Sequence, residues 1–345
     1  PVSELNKIRR SAIATLEESR THKFQKRRED TIRFITGNTI LPVSQRAEIS
    51  PAMSSSLMVA VDNMDAMKAA VAAGADGILY GGGDFSGITL QKGDYEAAWD
   101  YAKEHDVRID YNTPRIVHEH EQSALMRLFD GFGEKLPAAL HIHHIGIAFL
   151  ARACMDVPLH ADYSMISYNV STLDFLHSYG FSEATLSPEL NGKQMERMVK
   201  SSPVPLTAIV GGRLSLMISE YCVLGSFLGD LDTGKCSMPC RTQNYFLRDR
   251  KNVDFPVLTD QFCRMHILNS KQLSLLPYAA QMRAMGIATL RIEGRGISVG
   301  TLQRIVKAYR TAMQLAVPLR EEDEQYLRMQ EDGDITRGHY FRGIL

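Results

Sequence analysis

Four of the chain's five cysteines fall inside one glycine-punctuated stretch, spaced Cys222-x13-Cys236-x3-Cys240-x22-Cys263. Four thiolates are the ligand complement of a tetrahedral zinc ion or of a cubane iron–sulfur cluster. Structural zinc usually draws its sulfurs from two close pairs, and this stretch offers one close pair and two distant single cysteines. The spacing therefore puts iron–sulfur modestly ahead of zinc and leaves both open. Four unligated thiols in an apolar core is the remaining reading. Gly225, Gly229 and Gly234 speak against it, because they mark loop and not core strand. Cys154, in the apolar stretch LARACMDV, reads as a core residue.

Other residue types capable of chemistry sit where short apolar runs end. His160, Asp162 and Asn169 form one polar cluster, and Glu189 follows LSP at the end of the next run. Buried carboxylates there need partners, either a substrate or a salt bridge. His141 and His143, two residues apart, share one face of a predicted strand and suit proton transfer or interior hydrogen bonding equally. Arg264 and His266, next to Cys263, are placed to bind a carboxylate substrate or to hydrogen-bond cluster sulfurs. Gly294, Gly296 and Ser298 precede a helix where barrel proteins bind phosphate, although a plain N-cap accounts better for Ser298. Arg337 and His339 lie near the C-terminus and are placed to return to the same mouth. Hydrolase motifs are missing: HEHEQ at His118 has Gln122 where a second zinc-binding histidine belongs, and there is no G-x-S-x-G.

The elements that must position these residues alternate. A helix, a glycine and a buried strand recur as AAGADGILY, SYGFSEATL and AMGIATLRI, with glycines at 74, 180 and 286. SLMVAV, VRIDYN, ALHIHHIGI, PLHADYSMI and PLTAIVGG bring the strand candidates to eight. This predicts an α/β fold, a TIM-type (β/α)8 barrel, with a cysteine-bearing insertion over 213–270 after strand seven. An open doubly wound sheet is the runner-up. Strand C-termini would then gather Asn112, His143, Asp162, Tyr163, Glu189, Arg213, Arg291 and Glu293, together with Tyr80 and Tyr111, under the cysteines. The expected domains are a helical extension or linker over 1–50, capped by Ser3, the barrel over 51–317, and a C-terminal tail over 318–345.

At 345 residues, 44% hydrophobic and 23% charged, the chain is long enough for a large core. A net charge of −1 supplies no global basic field for nucleic acid, and the basic run Arg20–Arg28 reads as a solvated helix face. No apolar run suits a membrane span or a signal peptide, so a cytoplasmic, reducing setting is expected, in which clustered cysteines favour metal over disulfide. The opening Pro1-Val2 reads as a cut from a longer protein.

YCVLGSF…GKCSMPCR followed by FPVLTDQFCRMHILNS resembles the signature of peptidase family U32, the collagenase-like proteases. LMVAVDNMDAMKAAVAAGADGILYGG, HADYSMISYN, ATLSPELN and TRGHYFRG (336–343) extend the likeness over roughly residues 56–345. PVSELNKIRRSAI resembles the junction where a second half begins in long members, which makes a missing N-terminal half an expected partner. The resemblance implies a 4Fe–4S protein that hydroxylates an RNA base or a small aromatic ring without dioxygen, in some members with prephenate as oxygen donor. It makes Cys222, Cys236, Cys240 and Cys263 the cluster ligands. It leaves two alternatives, a metal-dependent peptidase and a non-catalytic half that recruits substrate. One departure stands out: Gly211-Gly212-Arg213-Leu214-Ser215 occupies the place of a His-Gly-x-x-Cys motif found in many members.

Overall fold

The computed structural model describes residues 2–37, 55–83, 85 and 89–342. The chain divides into two units, Pro1–Ala47 and Glu48–Leu345. The first contains α1 (Val2–Gly37), a single helix on which Leu5, Ile8 and Leu16 are exposed. Ser3 lies inside its first turn and not ahead of it. The expected boundary near residue 50 and the side chains of the basic run beyond His22 lie outside the described residues.

The second unit alternates strand and helix. It begins with β1 (Ser56–Val61), α2 (Met64–Ala72), β2 (Gly77–Gly81), α3 (Lys92–Glu104), β3 (Arg108–Asn112) and α4 (Glu119–Gly131). It continues with β4 (Leu140–Ile142), α5 (Ile145–Cys154), β5 (Leu159–Ala161), α6 (Val170–Ser178), β6 (Phe181–Thr185), α7 (Gly192–Ser201) and β7 (Leu206–Gly212). Asparagine caps start three of these helices: Asn63 accepts the Ala66 N–H (2.9 Å), Asn169 the Thr172 N–H (2.9 Å) and Asn191 the Gln194 N–H (2.9 Å). Gly74, Gly180 and Gly286 follow helices with φ of +96°, +91° and +101°, the left-handed turn that the repeated helix–glycine–strand pattern predicts.

The interruption after β7 is a lobe. It is built from β8 (Ser215–Ser219), α8 (Val223–Leu228), β9 (Tyr245–Arg248), β10 (Asp254–Thr259) and β11 (Met265–Leu268), with the strands antiparallel in the order β8-β11-β10-β9. The chain returns through β12 (Gln272–Ser274), antiparallel to β7, then α9 (Ala279–Met285), β13 (Thr289–Glu293) and α10 (Val299–Gln314). β13 pairs in parallel with both β1 and β7, which closes β1–β7 and β13 into an eight-stranded parallel barrel. The TIM-type expectation is met, and the eight predicted runs are its staves. Residues 318–345 contain α11 (Glu321–Met329) and β14 (Ile335–Thr336), which pairs with β12. Arg337 there donates to Ser274 O (2.8 Å) and to Glu331 Oε2 (2.7 Å). No helix among the described residues is long and apolar enough to cross a membrane.

Alternation along the strands separates two environments. One face of each stave packs on the helices in a continuous apolar layer that includes Leu57, Val59, Ile78, Tyr80, Tyr111, Ile142 and Phe181. The other face lines the barrel interior. There Met58, Ala60 and Leu79 form a small apolar cluster of their own. Most of the remaining interior is polar: Asp110, His141, His160, Asp162, Thr207 and Arg291 are all buried.

The exit from β7 depends on a glycine. Gly212 has φ +101°, and a Cβ there would lie 2.1 Å from Glu293 O. Gly212→Ala should therefore cost roughly 2–4 kcal/mol, through backbone strain and a clash with β13. Gly300, inside α10, would present a Cβ to open space, with nothing within 4 Å, so Gly300→Ala should stabilise by about 0.5–1 kcal/mol. Urea midpoints of the two variants against the parent check both signs.

Candidate functional site

The barrel interior is organised by a ladder of charges. Arg291 on β13, fully buried, donates from Nη1 to Asp162 Oδ2 (2.8 Å) and from Nη2 to Asp162 Oδ1 (2.9 Å). Its Nη2 also lies 2.8 Å from Glu293 Oε1, and Glu293 Oε2 accepts from Arg295 Nη2 (2.7 Å). Two carboxylates and two guanidiniums leave no net charge, which is the condition under which ions tolerate such burial. Burial alone would raise the Asp162 carboxyl. Arg291, His143 and His141 outweigh it and hold the carboxyl well below the usual range. Burial likewise presses on Glu293, and Arg291 and Arg295 keep it lowered.

The histidines divide by neighbour. Burial opposes charge on His141, but Asp110 and Asp162 overcome it and raise this ring to about 9. His143 is pushed down to about 4 by burial, only partly offset by Asp162 and reinforced by Arg295, Arg291 and Arg115. It is therefore neutral near pH 7, with Nε2 3.1 Å from Asn112 Oδ1 and Nδ1 2.8 Å from Ser164 Oγ. His160, beside His141, is also lowered to about 4, chiefly by burial.

Above this ladder lies a cavity of about 230 Å³ between the barrel mouth and the lobe. His143, Tyr163, Glu293 and Arg295 line it from the barrel. Arg115, Glu189, Arg213 and His339 line it from the loops and the C-terminal segment, and Phe85, Asp260, Arg264 and His266 complete it. Arg295 and Arg264 have carboxylate partners. Arg115 stacks over Tyr163 at 5.4 Å, and neither it nor Arg213 has a carboxylate partner among the described residues.

The lobe is latched over the mouth by side chains near Cys263. Arg264 donates from Nε to Glu220 Oε1 (2.6 Å) and from Nη2 to both oxygens of Glu121 (2.8 and 2.9 Å) in the first turn of α4. Asp260 Oδ1 accepts the N–H groups of Phe262 and Arg264, each at 2.9 Å, and its Oδ2 lies 3.2 Å from His266 Nε2. This carboxylate shapes the turn in which Cys263 adopts φ +60°, unusual for a non-glycine residue.

All five cysteines are free thiols. Cys222 Sγ accepts the Gly225 N–H (3.3 Å), and Cys236 Sγ accepts the Met238 N–H (3.3 Å). A Cβ at Gly229 would stand 2.7 Å from Cys236 Sγ, and one at Gly225 3.4 Å from it, so these glycines admit the sulfur. Partial burial and the thiols of Cys240, Cys222 and Cys236 raise the Cys263 thiol, with Arg241 opposing. Among the described residues, the only three ligand-type atoms found within 4.8 Å of one another belong to Asp110, His141 and His160, and not to the cysteines. Zinc–sulfur bonds of 2.3 Å would set thiolates about 3.8 Å apart.

The structure brings Glu189, Arg264 and His266 to the cavity and places His160 and Asp162 in the barrel interior. Asn169 is kept elsewhere: its Oδ1 caps α6, accepting from the Thr172 N–H and, at 3.2 Å, from its hydroxyl. Ser298 precedes α10 and donates to Thr301 Oγ1 (3.0 Å), with no cap bond to the helix backbone. Tyr80 and Tyr111 point away from the mouth into the helix layer, where the Tyr111 hydroxyl donates to Tyr95 O (3.0 Å). Asp110 and Glu183 were missed, although the two-residue period of RIDYN places Asp110 on the face of Asn112. Arg115 and Asp260 come from loops, where no periodic signal exists.

Asp162→Asn should cost about 3–5 kcal/mol in chemical denaturation, since it leaves the buried Arg291 and Arg295 to share the single carboxylate of Glu293. Asp254→Asn, which breaks the exposed Arg248–Asp254 pair (2.6 Å), should leave the denaturation midpoint nearly unchanged.

A sequence model described as Peptidase family U32 matches residues 62–343. The tRNA hydroxylation protein P1 of Bacillus subtilis is 22% identical over 263 residues, which cover 74% of this chain and 62% of that protein. The 23S rRNA 5-hydroxycytidine C2501 synthase of Escherichia coli is 23% identical, covering 78% of this chain and 39% of that protein. A protein of Porphyromonas gingivalis named Collagenase is 22% identical, covering 75% of this chain and 65% of its own length. The chain thus spans less than two thirds of the length of each of these relatives. With the match running from the end of β1 to the last residues of the C-terminal segment, the chain belongs to peptidase family U32.

Proposed function

We propose that this chain is the barrel of a protein that hydroxylates a base in RNA, with the cavity at the barrel mouth as the base pocket. One observation carries the reading: a cavity of about 230 Å³, below the size of drug-sized ligand pockets, lies between a polar barrel mouth and a lobe bearing four thiols. The names of the two hydroxylation relatives support the same direction.

A base drawn out of its stack needs a snug pocket with aromatic faces and polar groups at its edge. Phe85 and Tyr163 supply the faces, and neutral His143, Glu189 and Glu293 supply the edge contacts. Arg115 and Arg213, which have no carboxylate partner among the described residues, are available to RNA phosphate or to a carboxylate-bearing oxygen donor such as prephenate. Arg264 does not contact substrate in this reading; it holds the lobe against α4. Cys222, Cys236, Cys240 and Cys263 would hold a 4Fe–4S cluster, which supplies one-electron transfer when bound. The donor set fits that group: four thiols lie near enough to act on one another's ionisation, and Gly225 and Gly229 leave room beside the Cys236 sulfur.

A hydrolytic reading has one observation of its own. Ser164 Oγ lies 2.8 Å from His143 Nδ1, and Asp162 Oδ2 lies 3.7 Å from His143 Nε2. Ser164 donates its proton to His143 O (2.7 Å), however, and does not line the cavity. Labelling of Ser164 by a fluorophosphonate probe would favour hydrolysis over the proposal.

Anaerobically purified protein should contain about four irons and four sulfides per chain, and Cys236→Ser should lose them. One zinc without sulfide would overturn the cluster assignment. Arg115→Ala and Arg213→Ala should each weaken binding to single-stranded RNA and flatten its salt dependence by about one unit of slope. RNA binding that is absent or insensitive to both variants would refute the substrate class.

A further inference from the structure

Below the cavity floor, and separate from the cysteine lobe, a second group of ligand-type side chains converges. Asp110 on β3, His141 on β4 and His160 on β5 each offer one donor atom, all within 4.8 Å of one another. The register sets them together, since β3, β4 and β5 are consecutive staves and His141 is paired directly with His160. They are 0%, 1% and 5% exposed. His141 Nε2 lies 3.1 Å from Asp110 Oδ2. His160 Nδ1 lies 3.9 Å from the same oxygen and 3.7 Å from Glu183 Oε2 on β6. Thr207 donates its hydroxyl to Glu183 Oε1, which leaves Oε2 facing the histidine.

The group is not satisfied by its own hydrogen bonds. His160 Nδ1 and His141 Nδ1 are buried and have none. Native interiors pair nearly all such atoms, and His160 Nδ1, which faces Asp110 and Glu183, is the one that calls for a ligand. His141 Nδ1 also lies 3.5 Å from Asp162 Oδ2, whose carboxylate is fixed by Arg291. A metal-bound histidine characteristically directs its second nitrogen to a carboxylate placed in this way. Arg108 holds Asp110 from the far side, Nε to Oδ1 at 2.8 Å and Nη2 to Oδ2 at 3.0 Å, and so orients it.

We infer that Asp110, His141, His160 and Glu183 form a structural site for one divalent transition-metal ion. Two imidazoles and two carboxylates suit zinc, cobalt, iron(II) or manganese, whereas magnesium and calcium take oxygen ligands throughout. Bonds of 2.0–2.1 Å would set tetrahedral donors about 3.3 Å apart. The 3.1 Å pair already meets this and the 3.9 Å pair requires a contraction of about half an ångström, while Glu183, 3.7 Å from His160 but outside the three donors that lie within 4.8 Å of one another, has to swing further in to become the fourth ligand. The ion takes the place of the His141–Asp110 hydrogen bond. Four protein ligands leave no open position, so it ties four adjacent staves together and does no chemistry on substrate. The inference is independent of the RNA reading and shares no ligand with the proposed iron–sulfur cluster.

The test is cobalt(II) uptake by chelator-stripped protein in which Cys222, Cys236, Cys240 and Cys263 are all replaced by Ser. The expected result is one cobalt per chain, with visible ligand-field bands and no intense sulfur-to-metal absorption. Affinity should fall at least tenfold in His160→Gln and in Asp110→Asn on that background. No uptake by the quadruple variant, or uptake unchanged by His160→Gln, overturns the site. If circular dichroism shows that a variant has not folded, the parent chain decides. Saturating cobalt should raise its melting temperature more than that of His160→Gln, and an equal rise in the two overturns the inference.

Discussion

The bidentate pair between Arg291 and Asp162 is the contact on which the interior depends. It joins β13 to the end of β5 across the barrel, between residues 129 apart in the chain. Neither group tolerates such burial alone, because an unpaired ion in a low-dielectric interior costs several kcal/mol. Closure of the barrel and formation of the pair therefore require each other. Once Asp162 is held, its second oxygen faces His141 and His143, and its backbone starts the turn bearing Tyr163. Once Arg291 is held, Glu293 and Arg295 follow in line to the cavity floor.

The lobe is placed by carboxylates in the same way. Asp260 shapes the turn of Cys263, while Glu121 and Glu220 clamp Arg264 one residue later. The position of one cysteine is thereby tied to α4 of the barrel. The lobe has little apolar core of its own, a cluster of Leu224, Val257 and Met265, so these polar contacts carry much of its placement. Gly225 and Gly229 add space for a sulfur in a segment that packs little else.

The relation between the two regions explains why the site has two characters. The barrel supplies a rigid, charge-balanced floor with a neutral His143. The lobe supplies the four thiols and the covering face, while the aromatic faces, Phe85 and Tyr163, come from the barrel loops. Arg115 and Arg213 sit where the two meet and remain without carboxylates among the described residues, so the unbalanced positive charge is concentrated at the entrance and not in the floor.

The eight staves, the glycines at helix ends and the separate cysteine lobe were all legible in the sequence. Each rests on a local signal: a two-residue or 3.6-residue period, a left-handed turn only glycine tolerates well, or a break in alternation. His141 and His143 were readable as a pair for the same reason. The period of VRIDYN states that Asp110 and Asn112 share a face, but not that this face looks inward or meets His141. Register between strands decides that, and it is set by pairings far apart in the chain. Tyr111 was lost to the helix layer, and Asn169 to a helix cap, by the same non-local choice. Sequence alone determined which elements form and which residue types the mouth receives. Only tertiary closure decided which of them meet, because buried charges choose partners by distance across the barrel and not along the chain.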